Sequence, residues 1–403
     1  MKKIGVGIMS GTSLDGIDVA VVEINHYKEN TKITTIACET ILFDSEVINK
    51  IKDVIDLEKS NVQKITSLNY ELAIVFSNAV IETFNKNNLD IKNIDFVASH
   101  GQTIWHQPKN ENGFVKSTLQ IGEGAILADR LKTTVVSNFR AADIAAGGEG
   151  APLVSYVDKL LFYDKNKNIA LHNLGGISNL TLLAKNDLVA YDTGPANMMI
   201  DYAMKKLFNQ DYDYKGLCAS KGNLIPEMYE EIMNLNYFKC PYPKTTGREL
   251  FGDKYTELLV NKYSKHDRYD IINTLTMVTI NSVANEYKKL IDKYGRLDEI
   301  IFSGGGAHNE FVILNIKKRL VNARVSLIDE YGISSDYKEA IAFAILGNET
   351  LHKFPSNDIK ATGAKKRSIL GQINYYYEEW NLWNFFIIKN QQNQSIILIV
   401  MNK

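Results

Sequence analysis

Three short segments of the chain combine glycine with small polar side chains, and each follows an apolar run. They are SGTSLDG at residues 10–16, LGGIS at 174–178 and SGGGA at 303–307. Because glycine lacks a Cβ atom, main-chain N–H groups in such turns can surround a phosphate, and a helix that begins there adds a favourable dipole. One such turn is usually only a turn, but three in one chain favour a nucleotide-binding site.

The first segment lies between two apolar stretches, 4–9 and 17–24, that are expected to form strands. Its hydroxyl groups and main chain could hold the β- and γ-phosphates, and the carboxylate of Asp15 could hold Mg²⁺ directly or through water. The alternative is structural, because Asp15-Gly16 is also a strong turn signal. The residues predicted to bind the nucleotide here are Ser10, Gly11, Thr12, Ser13, Leu14, Asp15 and Gly16.

Two familiar nucleotide motifs do not match. The glycine spacing of residues 11–16 fits a Walker A loop, but Ile17 stands where that motif requires lysine. Residues 304–309, GGGAHN, end in asparagine where the dinucleotide fingerprint requires glycine or alanine. A nicotinamide dehydrogenase is therefore disfavoured.

A candidate general base follows the apolar run at 188–191. Asp192 precedes Thr193-Gly194-Pro195, and Pro195 is expected to be the first residue of a helix capped by Thr193 or Gly194. Ligands of open α/β sheets bind at this kind of strand end, where a carboxylate can activate a water molecule. The alternative is that Asp192 only caps the helix.

The elements around these segments predict an α/β fold with an internal duplication. Residues 169–208 repeat the order found at the start of the chain, with an apolar strand, a small polar turn, further strands and a helix. We expect lobe I at 1–138, lobe II at 139–373 and an atypical tail at 374–403. Arg140 and Asp143 are expected on a loop, and the tyrosine-rich stretch 211–214 is expected to pack at the surface or between lobes.

Composition sets limits on the function. The chain has 403 residues, which exceeds the usual size of one core and favours two lobes. The formal net charge of −1 gives no reason to expect a nucleic-acid partner. Three cysteines without CxxC spacing argue for a reducing compartment and against a structural zinc site. With no apolar stretch of membrane-spanning length, the expectation is a cytoplasmic protein without a membrane partner.

Six segments together resemble one family. They are GIMSGTSLDGIDVAVVE, ASHGQTIWH, NFRAADIAAGGEGAPLV, NLGGISNLT, YDTGPANMMID and FSGGGAHN. In this order they are similar to the anhydro-N-acetylmuramic acid kinases, over roughly residues 3–372. The resemblance implies a two-lobed, duplicated ribonuclease-H-like (actin-like ATPase) fold with ATP in the cleft between the lobes. It also implies Mg²⁺ as cofactor, an amino sugar as substrate and a homodimer.

The reaction that the resemblance implies has two halves. Water opens the 1,6-anhydro ring at C1, and the released O6 takes the γ-phosphoryl group of ATP. The products are N-acetylmuramic acid 6-phosphate and ADP, and the pathway is peptidoglycan recycling. The matching positions for ATP in the second and third segments are Gly175, Gly176, Gly304, Gly305, Gly306 and Ala307.

The resemblance also assigns residues to the sugar. Asp192 matches the general base, Arg140 is the expected partner of the lactyl carboxylate, and Glu339 matches a sugar-contacting carboxylate. Structural alternatives are an interlobe ion pair for Arg140 and a capping box with Asp336 for Glu339. His100, Gly101 and Gln102 are expected to contact the sugar or to order the base, although an ordinary hydrogen-bonded histidine is equally consistent. Ala196 departs from the family, which has glycine there.

Overall fold

A computed structural model describes residues 2–11, 14, 16–185, 187–242 and 244–378, and the backbone of two short strands at 386–389 and 396–399. The strands are Lys2–Ser10 (β1), Ile17–Asn25 (β2), Lys32–Ile41 (β3), Phe96–Gln107 (β4), Ser117–Ile121 (β5), Thr134–Ser137 (β6), Ile169–Leu174 (β7), Ile177–Leu183 (β8), Leu188–Pro195 (β9), Glu299–Ser303 (β10), Arg324–Leu327 (β11), Gln372–Asn374 (β12), Phe386–Lys389 (β13) and Ile396–Ile399 (β14). The helices are Ser45–Ile55 (α1), Val62–Lys86 (α2), Gly124–Leu131 (α3), Phe139–Ala145 (α4), Val154–Phe162 (α5), Asn197–Phe208 (α6), Pro226–Met233 (α7), Asn236–Lys239 (α8), Arg248–Phe251 (α9), Asp253–Lys262 (α10), Arg268–Tyr294 (α11), Glu310–Arg319 (α12), Lys338–Leu351 (α13) and Ile359–Thr362 (α14).

Two mixed sheets share one topology. The first has the order β12-β6-β4-β1-β2-β3 with β5 paired to β4, and the second has the order β11-β10-β7-β8-β9. In each, three consecutive strands form an antiparallel meander, and the first of them is also paired in parallel with a later strand. This repeated order confirms the predicted α/β, two-lobed, ribonuclease-H-like duplication.

The helix α13 crosses back from the second sheet and packs on β1, β2 and β4 of the first. Gly7 in β1 allows this contact, because a Cβ at that position would lie 1.8 Å from the carbonyl oxygen of Ala340. An ion pair of 2.8 Å between Lys338 and Asp158 joins α13 to α5. The segments that connect the sheets therefore border the space between them.

The lobe boundaries stay a prediction, but two segments assigned to lobe II belong by their contacts to the first sheet. They are α13 and β12, which pairs antiparallel with β6. Apolar periodicity showed that α13 is a helix, but it does not identify the sheet that buries it. Of the predicted tail, β13 pairs with β14, and most of the other residues lie outside the described part of the chain.

Two local predictions were wrong. The segment with Arg140 and Asp143 forms the short helix α4 rather than a loop, because Phe139 and Asp143 are buried on one of its faces. Pro195 does not begin a helix: it ends β9, paired with Ile177, and α6 begins at Asn197 after Ala196. The edge strand β9 tolerates a proline at its end, because no ladder N–H is needed there.

Candidate functional site

A cavity of about 960 Å³ lies between the two sheets. Gly11 and Gly16 line it from the first sheet, and Gly175, Asp192 and Gly304 line it from the second. Arg140 and Glu339 also line it. The structure therefore brings described residues of all three glycine segments into one cleft with Asp192, Arg140 and Glu339.

The first glycine segment is hydrogen-bonded to the side chain of Gln102. The hydroxyl of Ser10 donates to Oε1 of Gln102 over 2.5 Å, and Nε2 of Gln102 donates to the carbonyl of Gly11 over 3.3 Å. Gln102 is fully buried, so its geometry is that of a residue that positions this loop. Leu14 is buried with a positive φ of 62°. The predicted residues Thr12, Ser13 and Asp15 lie outside the described part of the chain.

The second and third glycine segments pack directly on each other. Gly304 has φ +82°, and a Cβ on it would lie 2.5 Å from Oδ1 of Asn173. At Gly306 a Cβ would lie 2.8 Å from Cβ of Leu174. Nδ2 of Asn197, the first residue of α6, donates to the carbonyl of Leu174 over 3.2 Å. Glycine is therefore required for the approach of the two turns.

Main-chain bonds close the second turn against the start of α6. The N–H groups of Ala196 and Asn197 donate to the carbonyls of Gly176 and Gly175 over 3.0 and 2.9 Å. Gly305 and Ala307 lie in the 3₁₀ turn Gly305–His308, and Ala307 is buried. The second turn therefore packs closely against the start of α6, and Gly175, Gly304 and Gly305 line the cleft beside it.

Asp192 is part of β9, where its carboxylate is held from one side. Its Oδ2 accepts a 2.7 Å hydrogen bond from the hydroxyl of Thr245 and a 2.9 Å bond from the N–H of Thr246. It lies five positions before the start of α6, which has no side-chain cap. The helix-cap alternative for Asp192 is therefore excluded. The interaction with Thr245 and Thr246 was not foreseen, because it spans more than fifty positions of sequence.

A buried charge network anchors the segment that holds Asp192. Nζ of Lys244 lies 2.9 Å from Oε1 of Glu286, and the exposed fractions of the two side chains are 5% and 3%. Lys289 also contacts this carboxylate over 2.8 Å, and the hydroxyl of Tyr191 donates to it over 3.1 Å. The carbonyl of Lys244 accepts from the main-chain N–H of Asp192 over 3.0 Å.

Arg140 is oriented by His100. Nε of Arg140 donates to Nε2 of His100 over 3.0 Å, and Nδ1 of the same ring lies 2.8 Å from the carbonyl of Gly101. Both ring nitrogens are thereby used within the protein. Burial, followed by the Arg140 charge, lowers the pKa of His100 to about 3. A neutral His100 that donates to Gly101 and accepts from Arg140 is a positioning residue.

The helix α4 that bears Arg140 is tied down by Asp143. The carboxylate of Asp143 is fully buried and accepts from the N–H of Gly150 over 2.8 Å, from Nδ2 of Asn357 over 2.9 Å and from the hydroxyl of Thr362 over 2.8 Å. Nη1 of Arg140 donates to the carbonyl of Gly150 over 2.8 Å. Arg140 is therefore fixed at two of its nitrogens before any ligand binds.

Glu339 lies in the first turn of α13 and does not form the capping box that the sequence permitted. The residue before α13, Tyr337, makes no side-chain cap, and Asp336 lies 3.4 Å from Nε2 of His308. Although Glu339 is accessible to solvent, the cleft walls around it displace bulk water. This desolvation raises the pKa of Glu339, and the nearby Arg140 opposes the rise.

The described residues contain no group of three or more His, Cys, Asp and Glu side chains that could hold a metal ion alone. Mg²⁺ bound to a nucleotide needs only one or two carboxylates, because phosphate and water supply its other ligands. Asp18, two residues after Gly16, lines the cleft and has the oxygen chemistry that Mg²⁺ prefers. Asp158 also lines the cleft but is ion-paired with Lys338. The cleft is therefore compatible with a Mg²⁺–nucleotide.

A second cavity, of about 570 Å³, adjoins the third glycine segment. It is lined by Gly305, by Asp201 of α6 and by three residues of the stretch 211–214. The expectation for this stretch is packing at the surface or between lobes, and the structure adds that it borders a cavity. A sequence signal for this cavity exists: the aromatic and acidic residues 211–214 follow α6 by only a few positions.

The cysteines, one buried histidine and the helix lengths bear on the remaining expectations. Cys38, Cys218 and Cys240 are free thiols. His172 is a core residue whose ring nitrogens bond Tyr287 and Ser178. Within the described residues no helix has the length and apolar character needed to cross a bilayer.

Comparisons with known proteins agree on one family. The family described as "Anhydro-N-acetylmuramic acid kinase" matches residues 3–376. A protein of that name from Francisella tularensis subsp. novicida is 52% identical over 375 residues, which cover 92% of this chain and 98% of that protein. One from Clostridioides difficile is 50% identical over 372 residues, covering 91% and 97%, and one from Bacillus thuringiensis subsp. konkukian is 44% identical over 376 residues, covering 92% and 98%.

Proposed function

Because the chain belongs to the anhydro-N-acetylmuramic acid kinase family, we propose that it opens the 1,6-anhydro ring of 1,6-anhydro-N-acetylmuramic acid and phosphorylates O6 with ATP. The products are N-acetylmuramic acid 6-phosphate and ADP. One observation supports this best: Asp192, Arg140 and Glu339 line the same cleft as the three glycine segments. A sugar and the phosphates of ATP could therefore meet there.

In the first half of the proposed reaction, Asp192 takes a proton from water as the water oxygen bonds to C1. The bond between C1 and O6 breaks, and its electron pair goes to O6. A positioned carboxylate suits this step because an acetal carbon needs an activated nucleophile. Thr245 and Thr246 bind Oδ2 of Asp192. The other carboxylate oxygen, Oδ1, is therefore assigned to accept the proton from water.

In the second half, O6 attacks the γ-phosphorus and ADP leaves. Phosphoryl transfer depends on alignment and charge neutralisation more than on covalent help. We assign the phosphates to the main chain of the first segment, with Gly175 and Gly304 on the opposite side of the cleft. Gly176 follows Gly175 in the same turn. The adenosine then extends past Gly305, Gly306 and Ala307 into the second cavity.

The sugar is proposed to lie between Asp192 and Arg140. The guanidinium of Arg140 has one terminal nitrogen, Nη2, beyond the two that bond His100 and Gly150, and Arg140 lines the cleft. It is therefore assigned to the lactyl carboxylate. Glu339, with its raised pKa, can share a proton with a sugar hydroxyl. His100, Gly101 and Gln102 support these groups from behind.

Mg²⁺ is proposed to neutralise the phosphates, held by Asp15 directly or through water. Asp18, three residues after Asp15, lines the cleft and fits the oxygen preference of this ion. The homodimer implied by the resemblance and the cytoplasmic location expected from the composition stay predictions.

A coupled ADP-release assay tests this function. The purified chain is mixed with 1,6-anhydro-N-acetylmuramic acid, Mg²⁺ and ATP, and wild type is compared with Asp192→Asn. We expect sugar-dependent ADP release in wild type and a loss of roughly 10²- to 10⁴-fold in the variant, because a general base contributes on this order. Mass spectrometry of the product should show addition of one water and one phosphoryl group.

Asp129→Asn is the matched control, since Asp129 is an exposed carboxylate on α3 that pairs with Lys132. It should retain wild-type activity. ADP binding, measured by calorimetry, should be unchanged in both variants. Full activity of Asp192→Asn would remove Asp192 from the role of base. ADP binding without any sugar-dependent turnover would instead indicate a regulatory nucleotide-binding protein.

A further inference from the structure

The cavity beside the third glycine segment contains several charged side chains, and most of them are paired. Asp213 uses both carboxylate oxygens, which accept from two main-chain N–H groups over 2.8 and 2.9 Å. Lys215 lies 2.6 Å from Glu310. His308 lies 3.4 Å from Asp336. These three groups are committed to contacts within the protein.

Asp201 differs from these neighbours. It lines the same cavity and is largely shielded from solvent, yet among the described residues it has no hydrogen-bond or ion-pair partner. The carboxylates of Asp211 and Asp213 lie close enough to disfavour its charge. A carboxylate in such a place is costly unless a donor reaches it, and a bound ligand can supply that donor.

The position of Asp201 relative to the glycine segments limits what that donor can be. Asp201 and Asn197 are four residues apart on α6, so they share a helix face. Asn197 is bonded to Leu174 at the junction of the second and third segments. Asp201 therefore lies about 6 Å along the helix axis from Asn197, which borders the surface proposed for phosphate. In a nucleotide, that distance past the phosphates corresponds to the ribose.

We propose that Asp201 is the ribose-binding residue of this protein and accepts hydrogen bonds from the 2′- and 3′-hydroxyls of the nucleotide. A vicinal diol presents two donors to the two oxygens of a carboxylate, and acidic side chains bind ribose in this way in other nucleotide folds. The residue then determines selectivity for ribonucleotides over deoxyribonucleotides. This inference rests on the proposed function only for the placement of phosphate.

The test is a double-mutant cycle on binding, with the whole chain and no sugar. Calorimetry measures the Kd of ADP, 2′-deoxyADP and 3′-deoxyADP for wild type, Asp201→Ala and Asp201→Asn. Wild type should bind each deoxy analogue about tenfold more weakly than ADP, the size expected for one hydrogen bond to a charged group. Asp201→Ala, which loses both bonds, should bind ADP about a hundredfold more weakly than wild type does, without further loss for either analogue. Asp201→Asn, which keeps one acceptor oxygen, should fall between them.

Asp211→Asn is the control, because Asp211 is an exposed neighbouring carboxylate 3.7 Å from Lys205. It should discriminate between ADP and the analogues as wild type does. Equal discrimination by Asp201→Ala and wild type would overturn the proposal, and so would absence of ADP binding to wild type. Failure of the sugar reaction is a separate result, since these affinities are measured without sugar.

Discussion

The hydroxyl of Thr245 donates to Oδ2 of Asp192 over 2.7 Å, on the side of the carboxylate where the N–H of Thr246 also binds. Thr245→Val removes one of these two bonds and lets the carboxylate rotate. We expect kcat to fall about tenfold, with a smaller change in the KM for sugar, because one hydrogen bond to a charged group is lost. Thr245→Ser, which keeps the hydroxyl, should restore most of kcat. A Val variant with wild-type kcat would show that the bond does not orient the base.

The ion pair of Lys244 with Glu286 should dominate the stability of this region. Lys244→Met leaves a buried carboxylate with Lys289 as its only remaining cationic partner within the described chain. We expect the free energy of unfolding, measured in urea, to fall by about 3 kcal/mol, as when one partner of a buried pair is removed. Lys289→Met is the matched control: its side chain is 45% exposed, and the expected loss is below about 1 kcal/mol. Equal losses in the two variants would contradict this ranking.

Arg140 should contribute mainly to sugar binding. Arg140→Lys keeps the charge but loses the planar set of donors that bonds His100, Gly150 and the proposed lactyl carboxylate together. We expect the KM for the anhydro sugar to rise by about tenfold or more while the Kd for ADP stays unchanged. Arg130→Lys is the control, since Arg130 also bonds two side chains, Ser77 and Asn78, but does not line the cleft. A matching rise in KM for Arg130→Lys would point to a general structural effect.

The charge of Asp201 should make stability depend on pH. Burial, followed by repulsion from Asp211 and Asp213, raises the pKa of Asp201 from 3.8 to about 7. The folded protein therefore binds this proton more tightly than the unfolded chain, and the destabilisation develops as pH rises from about 4 to 7. Asp201→Asn should increase Tm more at pH 8 than at pH 5.

Lys215 and His308 also line this cavity, so the pH dependence of Tm must be assigned to Asp201 rather than to them. His308→Gln removes the titratable ring and should leave the pH dependence of Tm in place. The measurement is the Tm of wild type, Asp201→Asn and His308→Gln by thermal unfolding across pH 5–8. A gain for Asp201→Asn that is equal at both pH values would contradict the assignment.

The sequence by itself determined the strands, the glycine turns and the family. The meanders β1-β2-β3 and β7-β8-β9 follow from apolar runs interrupted by small polar turns, and these signals are local. The clustering of the three glycine segments with Asp192 also follows, because two copies of one fold place equivalent turns at equivalent sheet edges.

Only the tertiary structure decided how the site residues are supported. The hydrogen bonds from Thr245 to Asp192, from Arg140 to His100 and from Ser10 to Gln102 join residues 40 to 92 positions apart, and no periodicity encodes such pairs. The role of Asp201 likewise depends on which neighbouring charges are already paired. Local propensity sets the elements, whereas desolvation and hydrogen-bond satisfaction depend on the whole fold.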